Sequence, residues 1–354
     1  MKKKLLFRVD GGNVWGISIG HIKRAHYLAT QLKGIYDIVF LMQNYSDGVT
    51  YVKKLGWDVH TIPVGDNSEQ SIINFCKKTN PGIIIFDLVK FDYPIFTHYA
   101  KSQEICVIVF DIKGNIRGEP SIIINESFVP DLMHYDDVPA ETRLYIGPDY
   151  FILPPEYLDI TKPVLNHDVK NVVITMGGSD PAGLTVKILD VLRNNPYNLH
   201  YHVILGPAFK ETEAVTILTK HLSNATIYKD PPNFIEILTW ADIAMTSGGR
   251  TLMECSYLGI PPIVVPSIEH EELTAIEYSH LTGAINIGIW KSPESHIKLK
   301  SALTQYINNY SQRENISDSA KNMIDGKGIF RILDIINFYQ TGEEIKNAKL
   351  DVSR

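Results

Sequence analysis

The sequence predicts an α/β protein of two doubly wound domains, each a parallel sheet with helices on both faces and the two facing each other across a cleft. The first observation is that short apolar runs alternate with helix-like stretches along the whole chain. The second is the length of 354 residues, which is too long for one typical domain and suits two. The third is that two apolar runs each end in a turn with a Gly–Gly pair, followed by a helical pattern.

The first half of the chain contains six predicted strands, each a short apolar run bounded by polar or turn-forming residues. They are Leu5–Val9, Asp37–Met42, Asp58–Ile62, Ile83–Asp87, Ile105–Phe110 and Ile122–Asn125. Helical patterns lie between them, for example at His21–Lys33, Ser68–Lys78 and Tyr93–Lys101. Strands that alternate with helices are expected to run parallel, because a parallel pair needs a crossover connection.

The second half repeats this alternation. Its predicted strands are Val172–Met176, His200–Leu205, Ala225–Tyr228, Ile243–Met245, Pro262–Val265 and Ala284–Ile287. The segment Gly147–His167 is rich in Pro and Tyr and lacks periodicity, so we place the hinge there. The predicted domains are therefore residues 1–150 and 151–340, followed by a polar tail at 341–354 that is expected to fray.

Composition argues against several classes of protein. The net charge of −6 is unlike that of a nucleic-acid-binding domain, which would be basic. No apolar run reaches the roughly 18 residues of a membrane span, and the run after MKKK is too short for a signal peptide. Cys76, Cys106 and Cys255 are far apart, which argues against a disulfide framework or a zinc site. We expect a cytoplasmic protein that needs no metal or other cofactor and does not insert into a membrane.

The turn Gly177–Gly178–Ser179–Asp180 is the first candidate binding site. Glycine lets the backbone approach a ligand closely, and Ser179 or Asp180 can cap the next helix with Pro181 at its first position. The uncovered N–H groups and the helix dipole would favour an anion such as a phosphate. A well-capped turn without a ligand explains the same residues, so this motif alone leaves both interpretations open.

A second turn of this kind comprises Ser247, Gly248, Gly249, Arg250 and Thr251. Glu254 lies three residues after Thr251, which is the spacing of a capping box and requires no ligand. The alternative is that Glu254 accepts hydrogen bonds from both hydroxyls of a ribose, since a carboxylate has two acceptor oxygens. Two such turns in one domain favour a nucleotide diphosphate over either turn considered alone.

His21 is the candidate general base. It follows Gly20 at a predicted helix N-terminus, on the edge of the cleft, where the helix dipole disfavours imidazolium. Arg24 lies one turn further along the helix and could face a phosphate or solvent. Asp10, in the loop before the helix, could orient His21 or simply form a turn.

Glu271 and Glu272 are the last candidates for contact with a substrate. They stand in the acidic stretch Ser267–Glu272, which follows the predicted strand ending near Pro266. Acidic residues are favourable at a helix N-terminus without any ligand. Their position after a strand that points into the cleft also fits a substrate-facing role, and the spacing does not decide between the two.

These motifs, in this order, resemble the UDP-sugar hydrolases of pseudaminic acid biosynthesis and their spore-coat polysaccharide relatives, within the GT-B superfamily. Arg8, Asp10 and GHIKR are similar to the N-terminal signature, and LYIGPDYFILPPEY to the inter-domain segment. The most specific match is MGGSDPAGLT. The nucleotide-binding segment resembles ADIAMTSGGRTLMECSYLGIPPIVV, and the closing helix resembles IDGKGIFRI. The resemblance covers nearly the whole chain.

The resemblance implies a GT-B fold in which UDP binds mainly to the C-terminal domain. It places the diphosphate near Gly178, Ser179, Gly248 and Gly249. It further implies that Glu254 binds the ribose, that His21 is the base for a water, and that no metal takes part. Hydrolysis would release UDP and an acetamido-deoxy sugar for surface polysaccharide or nonulosonic (pseudaminic-type) acid synthesis. Arg24 and the helix N-termini would then stabilise the leaving diphosphate.

The chain departs from this family at two places. The loop before His21 is longer, with Ser18 near the first Gly of the family's Gly-x-Gly-His, and Glu271–Glu272 align with an Asn-Gln pair. A carboxylate in place of an amide would change the preferred sugar or the reaction. Two alternatives therefore stay open, a GT-B glycosyltransferase in which His21 activates an acceptor hydroxyl and a nucleotide-sugar-binding protein without turnover. A nonhydrolysing epimerase shares the fold, but its expected acidic pair is not recognised.

Overall fold

The fold is described from a computed structural model, for residues 2–12, 17, 19–111, 114, 116–129, 135–222 and 224–341. Residues 340 and 341 are described by their backbone alone. Ser18 and, apart from residue 341, the predicted tail at 341–354 lie outside these ranges.

The first half of the described chain forms a parallel sheet of seven strands in the order β3-β2-β1-β4-β6-β8-β9. Its strands are β1 (Lys4–Val9), β2 (Asp37–Gln43), β3 (Val59–Ile62), β4 (Pro81–Asp87), β6 (Cys106–Phe110), β8 (Ile122–Asn125) and β9 (Arg143–Ile146). Two short strands, β5 (Phe91–Asp92) and β7 (Ile116–Arg117), pair separately. The helices are α1 (Gly20–Leu32), α2 (Ser46–Lys54), α3 (Glu69–Thr79) and α4 (Pro94–Ser102).

The second half forms a parallel sheet of six strands in the order β12-β11-β10-β13-β14-β15. These are β10 (Asn171–Thr175), β11 (His200–Leu205), β12 (Ala225–Lys229), β13 (Ile243–Thr246), β14 (Pro262–Val264) and β15 (Ile285–Asn286). The helices are α5 (Leu184–Leu192), α6 (Thr212–Thr219), α7 (Phe234–Thr239), α8 (Arg250–Leu258), α9 (Glu269–Thr282), α10 (Glu294–Asn308), α11 (Tyr310–Lys321) and α12 (Gly328–Thr341). Two 3₁₀ turns, Pro148–Tyr150 and Pro155–Asp159, lie between the sheets.

The predicted α/β architecture is confirmed, and the predicted strand ends differ from the observed ones by at most two residues. Apolar residues of the first sheet form two core clusters, as expected for a parallel sheet covered on both faces. The predictions missed β9 and the two short strands. Since β9 is an edge strand whose Arg143 and Leu144 are exposed, it lacks the continuous apolar run that marks a buried strand.

Both sheets reverse their direction of winding at a central strand. In the first sheet the reversal lies between β1 and β4, and in the second between β10 and β13. A crevice opens outside the carboxyl ends of the strands at such a point, and ligands bind there. β1, which precedes His21, and the strands before both Gly–Gly turns lie at the two reversal points, so the fold brings the three predicted motifs to the cleft.

The last helix returns to the first sheet. Ile329, Ile332 and Ile336 of α12 are fully buried in a core cluster of the first half. Gly328 allows this approach, because a Cβ there would collide with the backbone of Phe151 in the linker. The division of the chain near residue 150 stays a prediction. Within the described ranges, no helix is long and apolar enough to cross a bilayer.

Candidate active site

A cavity in the cleft collects most of the predicted site residues. Its lining includes Gly20, His21, Gly177, Gly178, Ser179, Ser247, Gly249, Arg250, Thr251, Glu254 and Glu271. A second cavity adjoins it and is lined by Arg24 and Gly248, together with Asn125, Glu126 and Ser127 of the first domain. Both cavities reach His21, Arg250 and Glu271, so these side chains stand where the two meet. We call the first the nucleotide cavity, after the ligand that the sequence predicts for it, and the other the second cavity.

The first Gly–Gly turn is held open by a cap. Asp180 accepts hydrogen bonds from the backbone N of Leu184 at 2.8 Å and of Thr185 at 2.7 Å. The capping role predicted for Asp180 is therefore confirmed, and its carboxylate is directed at α5 rather than into the cavity. Pro181 is not the first residue of the helix, since α5 begins at Leu184. Gly177 has a φ of +80°, which glycine adopts without strain and which turns the chain along the cavity wall.

The second Gly–Gly turn leads directly into α8. The helix begins at Arg250 with Gly249 as its N-cap, and no side chain caps it. The capping box of Thr251 and Glu254 is therefore absent, because Thr251 already lies within the helix. Glu254 is buried and lines the nucleotide cavity. The capping-box interpretation of its spacing is therefore wrong, and contact of Glu254 with a ribose stays a prediction.

His21 forms a tight contact with a carboxylate of the first domain. Its Nδ1 lies 2.5 Å from Oδ1 of Asp87, the last residue of β4. Arg24 binds the same carboxylate through Nε and Nη2, at 2.7 and 2.5 Å. The side chain of Asp87 is 1% exposed and that of His21 is 11% exposed, so the contact is nearly sealed from solvent.

The charges of this cluster stabilise one another. Burial alone would raise the pKa of Asp87, but Arg24 and His21 outweigh it and hold the pKa of this carboxyl below its usual value. Burial likewise opposes the charge of Arg24, and Asp87 with Glu126 more than compensates, so the pKa of the guanidinium is raised. Asp87 therefore stays ionised beside His21 at neutral pH.

Asp10 does not orient His21, and this expectation is corrected. Its Oδ1 accepts a hydrogen bond from Nη1 of Arg8 and from the backbone N of Gln43, each at 2.7 Å. Asp10 thus ties β1 to the end of β2. The partner of His21 is Asp87 because β4, and not the loop after β1, brings a carboxylate to the adjacent position.

Glu271 and Glu272 point to different surroundings. Glu271 lines both cavities, and its Oε2 accepts from the backbone N of Ser267 at 2.9 Å and from the Ser267 hydroxyl. Burial raises the pKa of Glu271, although its hydrogen bonds counteract this. Glu272 lines neither cavity, and its Oε1 lies 3.4 Å from the backbone N of Ile289. The structure brings Glu271 to the site and leaves Glu272 outside it.

Two acidic residues are among those that the sequence predictions missed. Asp87 binds His21 and Arg24, and Glu126 binds Arg24 and Arg250. A signal was available, since each is an acidic residue at the carboxyl end of a predicted strand and so at the edge of the cleft. In the part of the chain that the structure describes, no group of three His, Cys, Asp or Glu side chains could hold a metal ion.

Comparison of sequences identifies relatives. Residues 172–326 match the C-terminal domain of glycosyltransferase family 28. The chain is 24% identical over 330 residues to the spore coat polysaccharide biosynthesis protein SpsG of Bacillus subtilis (strain 168), covering 92% of this chain and 96% of that protein. It is 30% identical over 277 residues to the uncharacterized protein MJ1062 of Methanocaldococcus jannaschii, covering 74% of this chain. The chain spans about half of that relative, 55% of its length.

Solved structures share the fold. MurG of Acinetobacter baumannii superimposes with a TM-score of 0.66 at 14% identity, covering 94% of this chain and 99% of that one. The spinosyn rhamnosyltransferase SpnG, in complex with thymidine diphosphate, gives 0.61 at 14% identity with the same coverage. The UDP-GlcNAc 2-epimerase of Neisseria meningitidis, bound to UDP-GlcNAc, gives 0.63 at 12% identity, again with 94% and 99% covered. At these identities the likeness concerns the fold.

Proposed function

We propose that the chain, which is similar in sequence to SpsG and shares the fold of GT-B enzymes, hydrolyses a UDP-linked acetamido-deoxy sugar to UDP and the free sugar. The relationship to SpsG and the fold support an enzyme that uses a nucleotide sugar in polysaccharide biosynthesis. The observation that carries hydrolysis is the contact of His21 with Asp87 where the nucleotide cavity meets the second cavity. A cytoplasmic location and a role in a pseudaminic-type pathway belong to the same proposal.

The residues of the cleft support an inverting attack by water. With Asp87 accepting from Nδ1–H, the neutral imidazole of His21 has its lone pair on Nε2, which takes a proton from the water. The water oxygen bonds to the anomeric carbon as the bond from that carbon to the diphosphate breaks, and UDP departs with the bonding electrons. Asp87 stabilises the imidazolium, and the N–H groups at the start of α8 face the charge that develops on the diphosphate.

A glycosyltransferase is the second candidate function. The second cavity adjoins His21 and is lined by polar residues of the first domain, among them Asn125 and Ser127. A hydroxyl placed there would meet the same base as a water. The match of residues 172–326 to a glycosyltransferase domain favours this alternative as well.

Turnover without an acceptor separates the candidates. The protein would be incubated with UDP- and other nucleotide-linked acetamido sugars, and the released nucleotide and sugar would both be quantified. Release of both in equal amounts supports the hydrolase and identifies the sugar. Nucleotide binding without release favours a transferase that awaits its acceptor, or a binding protein. Absence of nucleotide binding would overturn the assignment of the nucleotide cavity.

Glu254→Ala should weaken UDP binding about tenfold or more, because two hydrogen bonds from a ribose to a carboxylate are lost. Calorimetric titration with UDP and 2′-deoxy-UDP tests the contact directly. The wild type should prefer UDP, and the variant should bind both nucleotides alike. Equal preference for UDP in the variant and the wild type would show that Glu254 does not contact the ribose.

Glu271→Gln should change the sugar preference, as kcat/KM, by about tenfold, since one hydrogen-bonding partner in the cavity is altered. Glu272→Gln is the matched control and should have little effect, because Glu272 lines neither cavity. The raised pKa of Glu271 predicts how the effect of this substitution depends on pH. At low pH the carboxyl is neutral, as in the glutamine variant, so the difference between variant and wild type should grow as pH rises. Equal effects of the two substitutions would show that Glu271 does not contact the sugar.

A further inference from the structure

Glu126 joins the two domains through a nearly buried carboxylate. It directly follows β8 of the first domain, and its side chain is 12% exposed. Its Oε1 accepts hydrogen bonds from Nη1 of Arg24 at 2.6 Å and from Nη1 of Arg250 at 2.8 Å. Arg24 lies in α1 of the first domain and Arg250 begins α8 of the second. One carboxylate oxygen is thus shared by a guanidinium from each side of the cleft.

The linker between the domains completes this contact. Oε2 of Glu126 accepts from the backbone N of Ile152 at 3.2 Å, and Nη2 of Arg250 donates to the carbonyl O of the same residue. The guanidinium of Arg250 also lies over the ring of Phe151, 4.5 Å from its centroid. Arg250 is therefore engaged on three sides by the first domain and the linker, although the sequence predicted it to bind substrate.

We infer, on the basis of the function proposed above, that Glu126 and Arg250 are a positioning pair that fixes the start of α8 relative to His21. Arg24 connects the pair to Asp87, which in turn holds His21. The base and the turn for the diphosphate are thereby linked through one network of buried charges. Misplacement of reacting groups by about 1 Å can cost on the order of 100-fold in rate, so the pair acts on turnover without contacting the sugar.

The pair also sets the charge of the nucleotide cavity. Arg250 lines that cavity, and Glu126 neutralises it. Because the two side chains are 18% and 12% exposed, solvent screens their charges weakly. Removal of one partner leaves the other charge unbalanced beside the diphosphate. Removal of both restores the charge balance and still abolishes the contact between the domains.

Three variants separate positioning from charge: Glu126→Gln, Arg250→Gln and the double variant. UDP affinity would be measured by calorimetry, and turnover with the substrate found in the nucleotide-sugar panel. UDP should bind several-fold more tightly to Glu126→Gln, several-fold more weakly to Arg250→Gln, and like the wild type to the double variant. The turnover number should fall about 10- to 100-fold in all three. A merely structural role would not combine tighter UDP binding with slower turnover.

The outcomes are distinct from those that test the proposed function. Wild-type turnover in the double variant would overturn the positioning role. The electrostatic role would be overturned if UDP did not bind more tightly to Glu126→Gln and more weakly to Arg250→Gln than to the double variant. Arg250→Lys keeps the charge but not the forked donors, so it should retain UDP affinity and lose turnover. If the wild type binds no nucleotide, the proposed function fails. The contact between the domains is then judged by calorimetric unfolding, with one transition expected for the wild type and two for Glu126→Gln.

Discussion

His21→Asn should lower the turnover number about 10²- to 10⁴-fold, which is the usual contribution of a positioned general base. The asparagine side chain has no basic nitrogen, so neither a water nor an acceptor hydroxyl would be deprotonated. UDP affinity should change little, because the contacts proposed for the nucleotide lie in the second domain. Single-turnover kinetics and calorimetric titration with UDP measure the two quantities separately.

A control histidine makes this result specific. His98 is exposed in α4, away from both cavities, and His98→Asn should behave like the wild type. Full turnover in His21→Asn would show that His21 is not the general base. A loss of UDP affinity equal to the loss of turnover would instead place His21 in nucleotide binding.

The strands of both sheets could be predicted because most are buried on both faces and read as continuous apolar runs. Ile83–Asp87 and Ile105–Phe110 are examples, and their predicted ends lie within two residues of those observed. The edge strand β9 could not be predicted in this way, since half-exposed residues carry no such run. Fold class therefore follows from burial pattern. The half-exposed edge strand β9 is missed, although the half-exposed edge strands β3 and β12 are predicted.

The cleft itself could be predicted, while the contacts within it could not. His21, Glu254 and the Gly–Gly turns were found because each follows a strand or opens a helix. Asp10, in the loop before the helix, was the candidate to orient His21, with a turn as the alternative. In a parallel sheet the neighbour of a strand is reached only after a crossover, and Asp87 is 66 residues away from His21. Glu126 is further still from Arg250, by 124 residues.

Asp87→Asn should reduce turnover by about 10²- to 10⁴-fold and lower the free energy of unfolding by about 3–5 kcal/mol. The amide no longer stabilises an imidazolium on His21. It also leaves the buried Arg24 without a charged partner at Nε and Nη2. A buried charge that has lost its partner strongly lowers the free energy of unfolding. Turnover and urea-induced unfolding would be followed on the same preparation.

The pH dependence of the free energy of unfolding tests whether the interaction of ionised Asp87 with Arg24 and His21 stabilises the fold. The pKa of Asp87 is lowered on folding, so its contribution is complete above the unfolded pKa near 3.8 and is lost as pH falls through the lower folded value. Asp87→Asn should therefore lose stability at neutral pH and show less further loss on acidification than the wild type. Asp92→Asn is the control, because Asp92 also has a lowered pKa but pairs with Lys90 at the surface, where such pairs contribute about 0–1 kcal/mol. If Asp87→Asn and Asp92→Asn lower the free energy of unfolding equally, burial of Asp87 is not what stabilises the cluster. The contact of Asp87 with His21 would then need another explanation.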